Sequence, residues 1–237
     1  MSSKPYGLVC PISKATELLE PRWTVQILTE MWNGASRFNE IRRGVGWISP
    51  GLLSRRLKEL ERNGLVERVE DSATGNVDYL RTEMAIALEP VLDAMAHWAQ
   101  RHIEAELALD RIDLSTLMWK IRRRINADQL PRRRILMRFH FSDEKLPHDT
   151  YWLLSTPGAD VELCITELGQ DTDLYVETSV HALGAVYAGR SSFDREIEKG
   201  EMFLSGDTRI VRTISQWLKP NDYALTEGTA MLTDKPA

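Results

Sequence analysis

The sequence predicts two domains of different class: a mainly helical N-terminal domain that includes a β-hairpin, and a C-terminal α+β domain with an antiparallel sheet covered by helices. Apolar residues recur at steps of three and four in the first half and alternate in the second, which are the periods of helices and strands. The 237 residues also exceed the roughly 100–200 of a single domain. We place the boundary between residues 112 and 113.

Composition excludes several protein classes. Hydrophobic residues make up 43% and charged residues 27% of the chain, which is average for globular proteins. The apolar runs are far shorter than the ~20 residues that span a bilayer, and residues 1–8 lack a signal peptide's apolar stretch, so we expect a cytoplasmic protein without a membrane partner. Two cysteines cannot form a disulfide framework, and the histidines lack metal-ligand spacing. We predict no metal and no cofactor.

Charge is distributed unevenly along the chain. Residues 1–125 hold 18 Lys and Arg against 17 Asp and Glu, whereas residues 126–237 hold 12 against 18. Within residues 37–62 the balance is seven basic against three acidic side chains, a local charge of +4. Because phosphate binding depends on the field of one surface, the net charge of -5 does not exclude nucleic acid.

Helix-capping and helix-breaking residues define the first elements of the chain. A helical pattern over residues 12–32 contains Pro21, which is predicted to bend or divide it. Ser36 is the predicted N-cap of a short helix over 37–43. Ser49-Pro50 begins a third helix that runs to residue 63, with Leu53, Leu57 and Leu60 inward. Two short strands, 65–69 and 77–80, flank a turn-rich tip and predict a hairpin. Three helices and a hairpin are typical of a winged helix.

A long helical stretch follows the hairpin, from Thr82 to about residue 110, with Pro90 predicted to kink or restart it. Its apolar stripe needs a partner, so we predict a dimer interface there. The predicted interface residues are Leu88, Val91, Leu92, Met95 and Trp98. A shorter helix is expected over residues 115–125.

The second half has strand periodicity followed by helices. The predicted strands are 135–141, 150–154, 161–167 and 173–177. The predicted later elements are helices over 179–188 and 192–199, a strand over 202–204 and a helix capped by Asp207. This order indicates an antiparallel sheet with helices on one face.

The helix that begins at Ser49 is the strongest candidate for a functional element. A helix can enter the major groove of DNA when one face anchors it and the other carries donors near its N-terminus. Gly51, Ser54, Arg55 and Lys58 lie on that outer side. Arg55 is the predicted base reader, because a guanidinium can bind guanine through two bonds. The alternative is an ordinary solvated helix face.

Other basic and polar residues are predicted to contact phosphate groups. Ser36, Arg37, Arg42 and Arg43 suit that role because helix N-termini and flexible cations fix register without reading sequence. The complete predicted DNA-binding set is Ser36, Arg37, Arg42, Arg43, Ser49, Gly51, Ser54, Arg55, Arg56, Lys58 and Arg68. The arginines at 122–124 and 132–134 either brace the acidic second half or touch flanking phosphates, and we favour bracing.

Roughly residues 7–105 resemble the HxlR-type winged helix transcription regulators. The resemblance rests on Cys10-Pro11, on the 37–42 segment RFNEIR, on Ile48-Ser49-Pro50, on Gly64-Leu65-Val66 and on Leu88-Glu89-Pro90. It implies a cytoplasmic homodimer, paired through the N-terminal and post-wing helices. Each 49–63 helix would occupy one half-site of a twofold operator on double-stranded DNA.

This chain departs from the family pattern at two places. Acidic residues outnumber Arg68 and Arg81 in the predicted wing, which argues against strong wing contact with DNA. Gly51 also stands where the family often has a longer polar side chain, so one base contact is expected to be absent.

Cys10 has two interpretations. In several HxlR-type regulators a cysteine at the matching Cys-Pro position senses oxidants, and a helix N-terminus would lower the pKa of this thiol. A small structural thiol without a sensing role is the alternative.

About residues 113–225 resemble the sterol carrier protein fold, through the order of strands and helices and through the segment 198–207, EKGEMFLSGD. Such folds can enclose an apolar tunnel between sheet and helices. The candidate lining residues are Phe139, Trp152, Leu154, Tyr175, Tyr187, Phe193 and Phe203, with plain core packing as the alternative.

These patterns predict a homodimeric, DNA-binding transcription regulator whose C-terminal domain binds a small apolar effector. A different class is the alternative: a lipid or apolar-metabolite carrier that uses its winged helix only for dimerisation. No catalytic constellation has a recognisable context, so an enzyme is not expected.

Overall fold

The chain folds into two compact units, and the boundary between them along the sequence falls inside a helix. The computed structural model describes residues 5–143 and 146–233. The first unit extends to Met95 and the second begins at Ala96. The sequence prediction placed the boundary at 112/113, about 17 residues later.

The first unit consists of helices and one β-hairpin. Its elements are α1 (Pro11–Leu19), α2 (Thr24–Trp32), α3 (Phe38–Val45), α4 (Pro50–Arg62), β1 (Val66–Glu70), β2 (Val77–Arg81), α5 (Glu83–Ala87) and the start of α6 (Glu89–His102). The strands β1 and β2 pair antiparallel, with Val66 opposite Arg81 and Glu70 opposite Val77. The predicted helices and hairpin of the winged helix are therefore present.

The predicted helical stretch over 12–32 is divided. The interruption lies at residues 20–23, where Pro21 cannot donate a helical hydrogen bond. Trp23 adopts the left-handed conformation, with φ of 82°, directly before α2. The chain therefore changes direction between α1 and α2.

The core of the first unit lies between its helices. Leu53, Leu57 and Leu60 of α4 are buried there, as the sequence predicted, together with Ile27 and Ile41. A buried carboxylate also belongs to this region, because Glu30 of α2 is 1% exposed. Its side chain lies against Gly44 of α3, where an added Cβ would stand 1.8 Å from the Glu30 Oε2 atom. Any larger residue at position 44 would require the buried Glu30 side chain to move.

The predicted long helix from Thr82 is broken into three. Thr82 caps α5 by accepting a hydrogen bond from the Ala85 N–H, and the helix ends at Ala87. Pro90 then occupies the second position of α6, where its missing N–H costs nothing. A separate short helix, α7, spans Ala105–Ala108. The predicted stretch is therefore interrupted twice, and at the first interruption Pro90 restarts the helix, which is one of the two effects that the sequence predicted.

The second unit contains the remaining helices and a five-stranded sheet. After α7 the elements are α8 (Leu114–Arg122), a 3-10 turn (Ala127–Gln129), β3 (Ile135–Phe141), β4 (Thr150–Ser155), β5 (Glu162–Cys164), β6 (Leu174–Thr178), α9 (Val180–Tyr187), α10 (Phe193–Glu198), β7 (Met202–Gly206), α11 (Thr208–Arg212) and α12 (Ile214–Trp217). Ser179, Ser192 and Asp207 are the N-caps of α9, α10 and α11.

The sheet is mixed rather than antiparallel, which corrects the predicted fold class. Its strand order is β5-β4-β3-β6-β7. All neighbours pair antiparallel except β3 and β6, which are parallel, with Met137 opposite Leu174. The chain crosses from the edge strand β5 to the far side of β3 before β6 begins, and this crossover returns it in the same direction.

One face of the sheet is covered by helices and forms the core of the second unit. Phe139, Phe141 and Val176 project from the strands into this core. Met118 and Ile121 of α8 pack against them. The helix side is completed by buried residues of α9 to α12, namely Val180, Leu183, Val186, Phe193, Ile210, Ile214 and Trp217.

Residues 96–102 of α6 are hydrogen-bonded into the second unit. The Gln100 side chain donates to the Ala188 carbonyl oxygen at 2.6 Å. The buried guanidinium of Arg190 donates in return to the Gln100 carbonyl oxygen at 2.9 Å. These bonds explain why the second unit begins inside α6.

None of the helices within residues 5–143 and 146–233 is both long and apolar enough to cross a bilayer.

Candidate nucleic-acid interface

Helix α4 has one buried and one exposed side, and its first residues fix the position where the helix begins. The Ser49 hydroxyl accepts a hydrogen bond from the Leu52 N–H at 3.3 Å, and Pro50 occupies the first helical position. While three leucines anchor the inner side, the outer side carries the exposed residues Gly51, Ser54, Arg55 and Lys58. We call these four residues the α4 outer row.

The two cations of the α4 outer row are available to bind anions. Neither Arg55 nor Lys58 forms an ion pair with any side chain that the structure describes. Arg55 lies in the N-terminal half of the helix, which is the part of a recognition helix that reaches base edges, and Lys58 lies just past the midpoint. Their exposure is what the sequence predicted for DNA contact.

Arg56 faces the protein, unlike its neighbour Arg55. Its Nε donates to the backbone carbonyl oxygen of Arg22 at 3.0 Å. Its Nη1 pairs with the Glu59 carboxylate one turn further along α4, and only 15% of the Arg56 side chain is exposed. The predicted DNA contact by Arg56 does not agree with this placement, because the guanidinium already holds α4 against the α1–α2 connection.

Ser36 and Arg37 connect α3 to the hairpin. The Ser36 hydroxyl donates to the Asp78 carboxylate at 2.7 Å, and the Arg37 Nε lies 3.6 Å from the same oxygen atom. The Ser36 carbonyl oxygen also accepts from the Tyr79 N–H at 2.8 Å. The N-cap of α3 is Arg37 rather than Ser36, so the predicted cap was displaced by one residue.

Arg42 and Arg43 are exposed in the last turn of α3. Arg42 forms no ion pair among the described residues. The exposed position of both side chains suits the predicted contact with phosphate groups.

The hairpin that follows α4 is negatively charged. Arg68 is paired with Glu70 at 3.0 Å, which neutralises its charge locally. At the tip, Asp71 accepts hydrogen bonds from the Thr74 hydroxyl and the Ala73 N–H, which lower its pKa and keep it ionised. This arrangement supports the expectation that the wing contributes little to DNA binding.

The sequence analysis overlooked Trp47. It lies in the turn between α3 and α4, two residues before the Ser49 cap, and is 66% exposed. The turn is closed by a hydrogen bond from the Ile48 N–H to the Gly46 carbonyl oxygen at 2.8 Å. The sequence signal that could have identified Trp47 is the placement of a large aromatic residue between the turn glycine Gly46 and the helix cap Ser49. Its indole therefore belongs to the candidate interface.

The predicted dimer-interface residues lie on two different sides of α6. Val91, Met95 and Trp98 are 52%, 53% and 59% exposed, and their spacing places them on one side of the helix. Leu92, in contrast, is buried within its own chain, and Leu88 packs against the core of the first unit. The outward residues alone are available to a partner.

The predicted ligand lining is divided between the two faces of the sheet. Phe139 and Phe193 are buried in the core on the helix side, where Tyr187 also packs. The register places the other four on the opposite face, namely Trp152, Leu154, Tyr175 and Phe203. The seven residues therefore do not line one tunnel between sheet and helices.

Each of the basic segments at 122–124 and 132–134 contributes an arginine that pairs with acidic residues of the second unit. Arg124 pairs with Asp222 at 2.8 Å, and Arg133 contacts both Asp173 and Asp207. These ion pairs confirm bracing for Arg124 and Arg133.

Cys10 is the exposed N-cap residue of α1. The backbone N–H groups of Ser13 and Ile12 lie toward its sulfur and lower the pKa of the thiol. Burial and the nearby Glu162 carboxylate instead raise the pKa of Cys164.

Comparison with known proteins defines the family of the first unit. Residues 18–107 match the family model described as HxlR-like helix-turn-helix. The HTH-type transcriptional regulator YvaP of Bacillus subtilis is 37% identical over 98 residues, which are 40% of this chain and 91% of YvaP. The chain belongs to the HxlR-like helix-turn-helix family.

Other members of the HxlR-like family show similar coverage. YodB of Bacillus subtilis is 39% identical over 98 residues, 40% of this chain and 88% of YodB. The reduced form of YodB aligns with 37% identity and a TM-score of 0.37, over 41% of this chain and 97% of that one. Family membership makes the chain a DNA-binding helix-turn-helix transcription regulator.

Proposed function

We propose that this chain acts in the cytoplasm as a homodimer on a twofold operator, with α4 of each copy in the major groove of one half-site. The observation that carries the proposal is the α4 outer row, where Arg55 and Lys58 are exposed and unpaired within the described residues. Arg55 reads a base, and Ser54 and Lys58 contact the groove beside it.

Phosphate contacts then come from residues around the α4 N-terminus. Arg42 and Arg43 extend from the end of α3, and Ser49 caps α4. The exposed indole of Trp47 supplies a further donor next to these groups. Ser36 and Arg37 support the interface by fixing the hairpin to α3 through Asp78.

Dimerisation is supported by apolar surface that a single copy leaves exposed. Val91, Met95 and Trp98 form a stripe on α6. Near the N-terminus, Val9 and Ile12 are 94% and 77% exposed. A monomer rarely exposes large apolar side chains in such rows, so a second copy is the natural partner for them.

The second unit is the proposed effector domain, with a sterol carrier protein-like fold. A five-stranded sheet with helices on one face supports the fold proposal. An apolar effector would change operator affinity only by its differential affinity for the two conformations of the regulator.

Selection of bound duplexes from a random pool tests the proposal. The dimer should enrich a twofold sequence, and Arg55→Ala should cost about 1–3 kcal/mol of binding to it. Arg62→Ala is the matched control, because Arg62 lies on the same helix about 10 Å further along its axis. If no twofold sequence is enriched, or if Arg55→Ala binds as well as the parent chain, the proposed twofold operator or the base contact by Arg55 is wrong.

A further inference from the structure

The face of the sheet opposite the helices carries an arginine between two aromatic residues. Arg138 lies on the central strand β3, directly opposite Trp152 on β4 and Tyr175 on β6. The three side chains therefore form one row across the middle of the sheet. We call the sheet face that carries this row the open face.

Arg138 is a partly buried cation on the central strand of the sheet. Among the residues that the structure describes, no carboxylate forms an ion pair with Arg138. The guanidinium instead lies over the Tyr175 ring, 6.0 Å from its centroid, and the arginine is half-buried. A cation held against an aromatic ring and partly removed from water gains from an anionic ligand.

Apolar surface surrounds this cation on the same face. Leu136 and Leu154, paired with one another in the row beside Arg138, are buried at 3% and 4% exposure, so the accessible apolar surface lies elsewhere on this face. On the other side, Phe203 is 61% exposed and Tyr175 is 38% exposed. The exposed aromatic surface offers a stacking area for a ring next to a single positive charge.

We infer that the open face binds a small ring-bearing monoanion, with the ring against Trp152 and Tyr175 and the anionic group on Arg138. The charges at the margin favour one anionic group over a polyanion. Glu177 and Glu162 lie on the same face in the rows beside Arg138, so a nucleic acid or polyphosphate would meet repulsion there. This site is independent of the DNA-binding proposal, because it lies wholly in the second unit.

Two fluorescent probes with the same ring system separate the contributions of charge and stacking. 1-Anilinonaphthalene-8-sulfonate carries one negative charge, and N-phenyl-1-naphthylamine carries none. Arg138→Gln should weaken binding of the sulfonate about tenfold and change binding of the amine less than twofold. Arg209→Gln, an exposed arginine of α11, is the control and should change neither.

Tyr175→Glu provides a second test at a position that is 38% exposed. It places a carboxylate beside Arg138, so it should weaken sulfonate binding at least as much as Arg138→Gln. Circular dichroism and the thermal midpoint of each variant verify folding. If Arg138→Gln unfolds the domain, Tyr175→Glu decides the question alone.

Two results would overturn the inference. One is an affinity for the sulfonate that stays within twofold of the parent chain in the folded Tyr175→Glu variant. The same must hold for Arg138→Gln if that variant folds. The other is a halved mass of Tyr175→Glu in sedimentation equilibrium with sulfonate binding unchanged, because the open face would then be an interface between copies.

Discussion

Arg56 of α4 donates a hydrogen bond to the backbone carbonyl oxygen of Arg22, in the connection between α1 and α2. The adjacent Arg55 extends into solvent from the same helix. Two neighbouring arginines therefore have different roles: Arg56 stabilises the scaffold and Arg55 belongs to the candidate interface.

Substitution of these two arginines should separate stability from DNA binding. Arg56→Ala removes a charge-assisted hydrogen bond and a half-buried ion pair, so it should lower the free energy of unfolding by about 1–2 kcal/mol. Arg55→Ala should change it by less than about 0.5 kcal/mol. Urea unfolding and operator affinity measure the two effects. Loss of operator affinity by a fully stable Arg56→Ala variant would contradict the assignment.

Gly44 and Gly51 form a matched pair for helix stability. An added methyl group at Gly44 would meet the buried Glu30 carboxylate, so Gly44→Ala should destabilise the first unit by roughly 1–3 kcal/mol. No atom lies within 4 Å of the position of a Cβ at Gly51. Gly51→Ala should therefore stabilise the unit by up to about 1 kcal/mol through helix propensity. Equal urea midpoints for the two variants would disprove the predicted contrast.

The two cysteines should differ in reactivity. Because its pKa is lowered, Cys10 has a larger thiolate fraction at neutral pH than Cys164, whose pKa is raised. Iodoacetamide at pH 7.5 should modify Cys10 about tenfold faster, and the pH profile of Cys10 should lie at lower pH. Mass spectrometry of tryptic peptides measures both rates. Faster modification of Cys164 would remove the basis for a sensing role of Cys10.

If Cys10 acts as a switch, Cys10→Ser should abolish any oxidant-induced loss of operator binding. Cys164→Ser is the control and should leave that response intact. An unchanged response in Cys10→Ser would assign Cys10 to a structural role.

The apolar stripe on α6 should control the oligomeric state. Met95→Glu places a charge in the middle of the stripe, so sedimentation equilibrium should show one chain mass instead of two. Leu107→Glu is the control, since Leu107 is 68% exposed on a different helix. A dimer that persists in Met95→Glu would place the interface elsewhere.

Arg190 should be important for the stability of the second unit. Its buried guanidinium donates to the carbonyl oxygens of Gln100 and Ala230, at 2.9 and 2.7 Å. Arg190→Ala would remove the guanidinium donor from both oxygens and leave the Gln100 carbonyl oxygen with the Ala230 N–H at 3.1 Å, so it should cost about 2–4 kcal/mol in urea unfolding. The exposed Arg209→Ala variant should cost less than about 0.5 kcal/mol. Similar costs for both variants would show that the hydrogen bonds of the buried Arg190 guanidinium do not stabilise the second unit.

Local signals in the sequence were sufficient for the helix caps and most strands. Ser49, Thr82 and Ser179 each cap the helix that they were expected to begin, because a capping hydrogen bond connects residues only three positions apart. The strand β3 coincides with its predicted span. These features depend on neighbouring residues alone.

Features that join distant residues were not accessible in this way. The parallel pairing of β3 with β6 depends on where the chain crosses the sheet, which strand periodicity does not encode. Ser36 meets Asp78 across 42 positions, and Arg56 meets Arg22 across 34. Ser36 was predicted to contact phosphate from its place at a helix N-terminus, and Arg56 was predicted to contact DNA from its place beside the outer side of α4. Neither local signal identifies a distant partner.

Helix α6 begins in one unit and ends in the other, which limits how the protein can be dissected. A cut at the 95/96 boundary would sever a helix and leave frayed ends on both fragments, whereas a cut at 112/113 would take Gln100 away from Ala188. Neither half has a clean terminus of its own, so each should be less stable when expressed separately than in the intact protein.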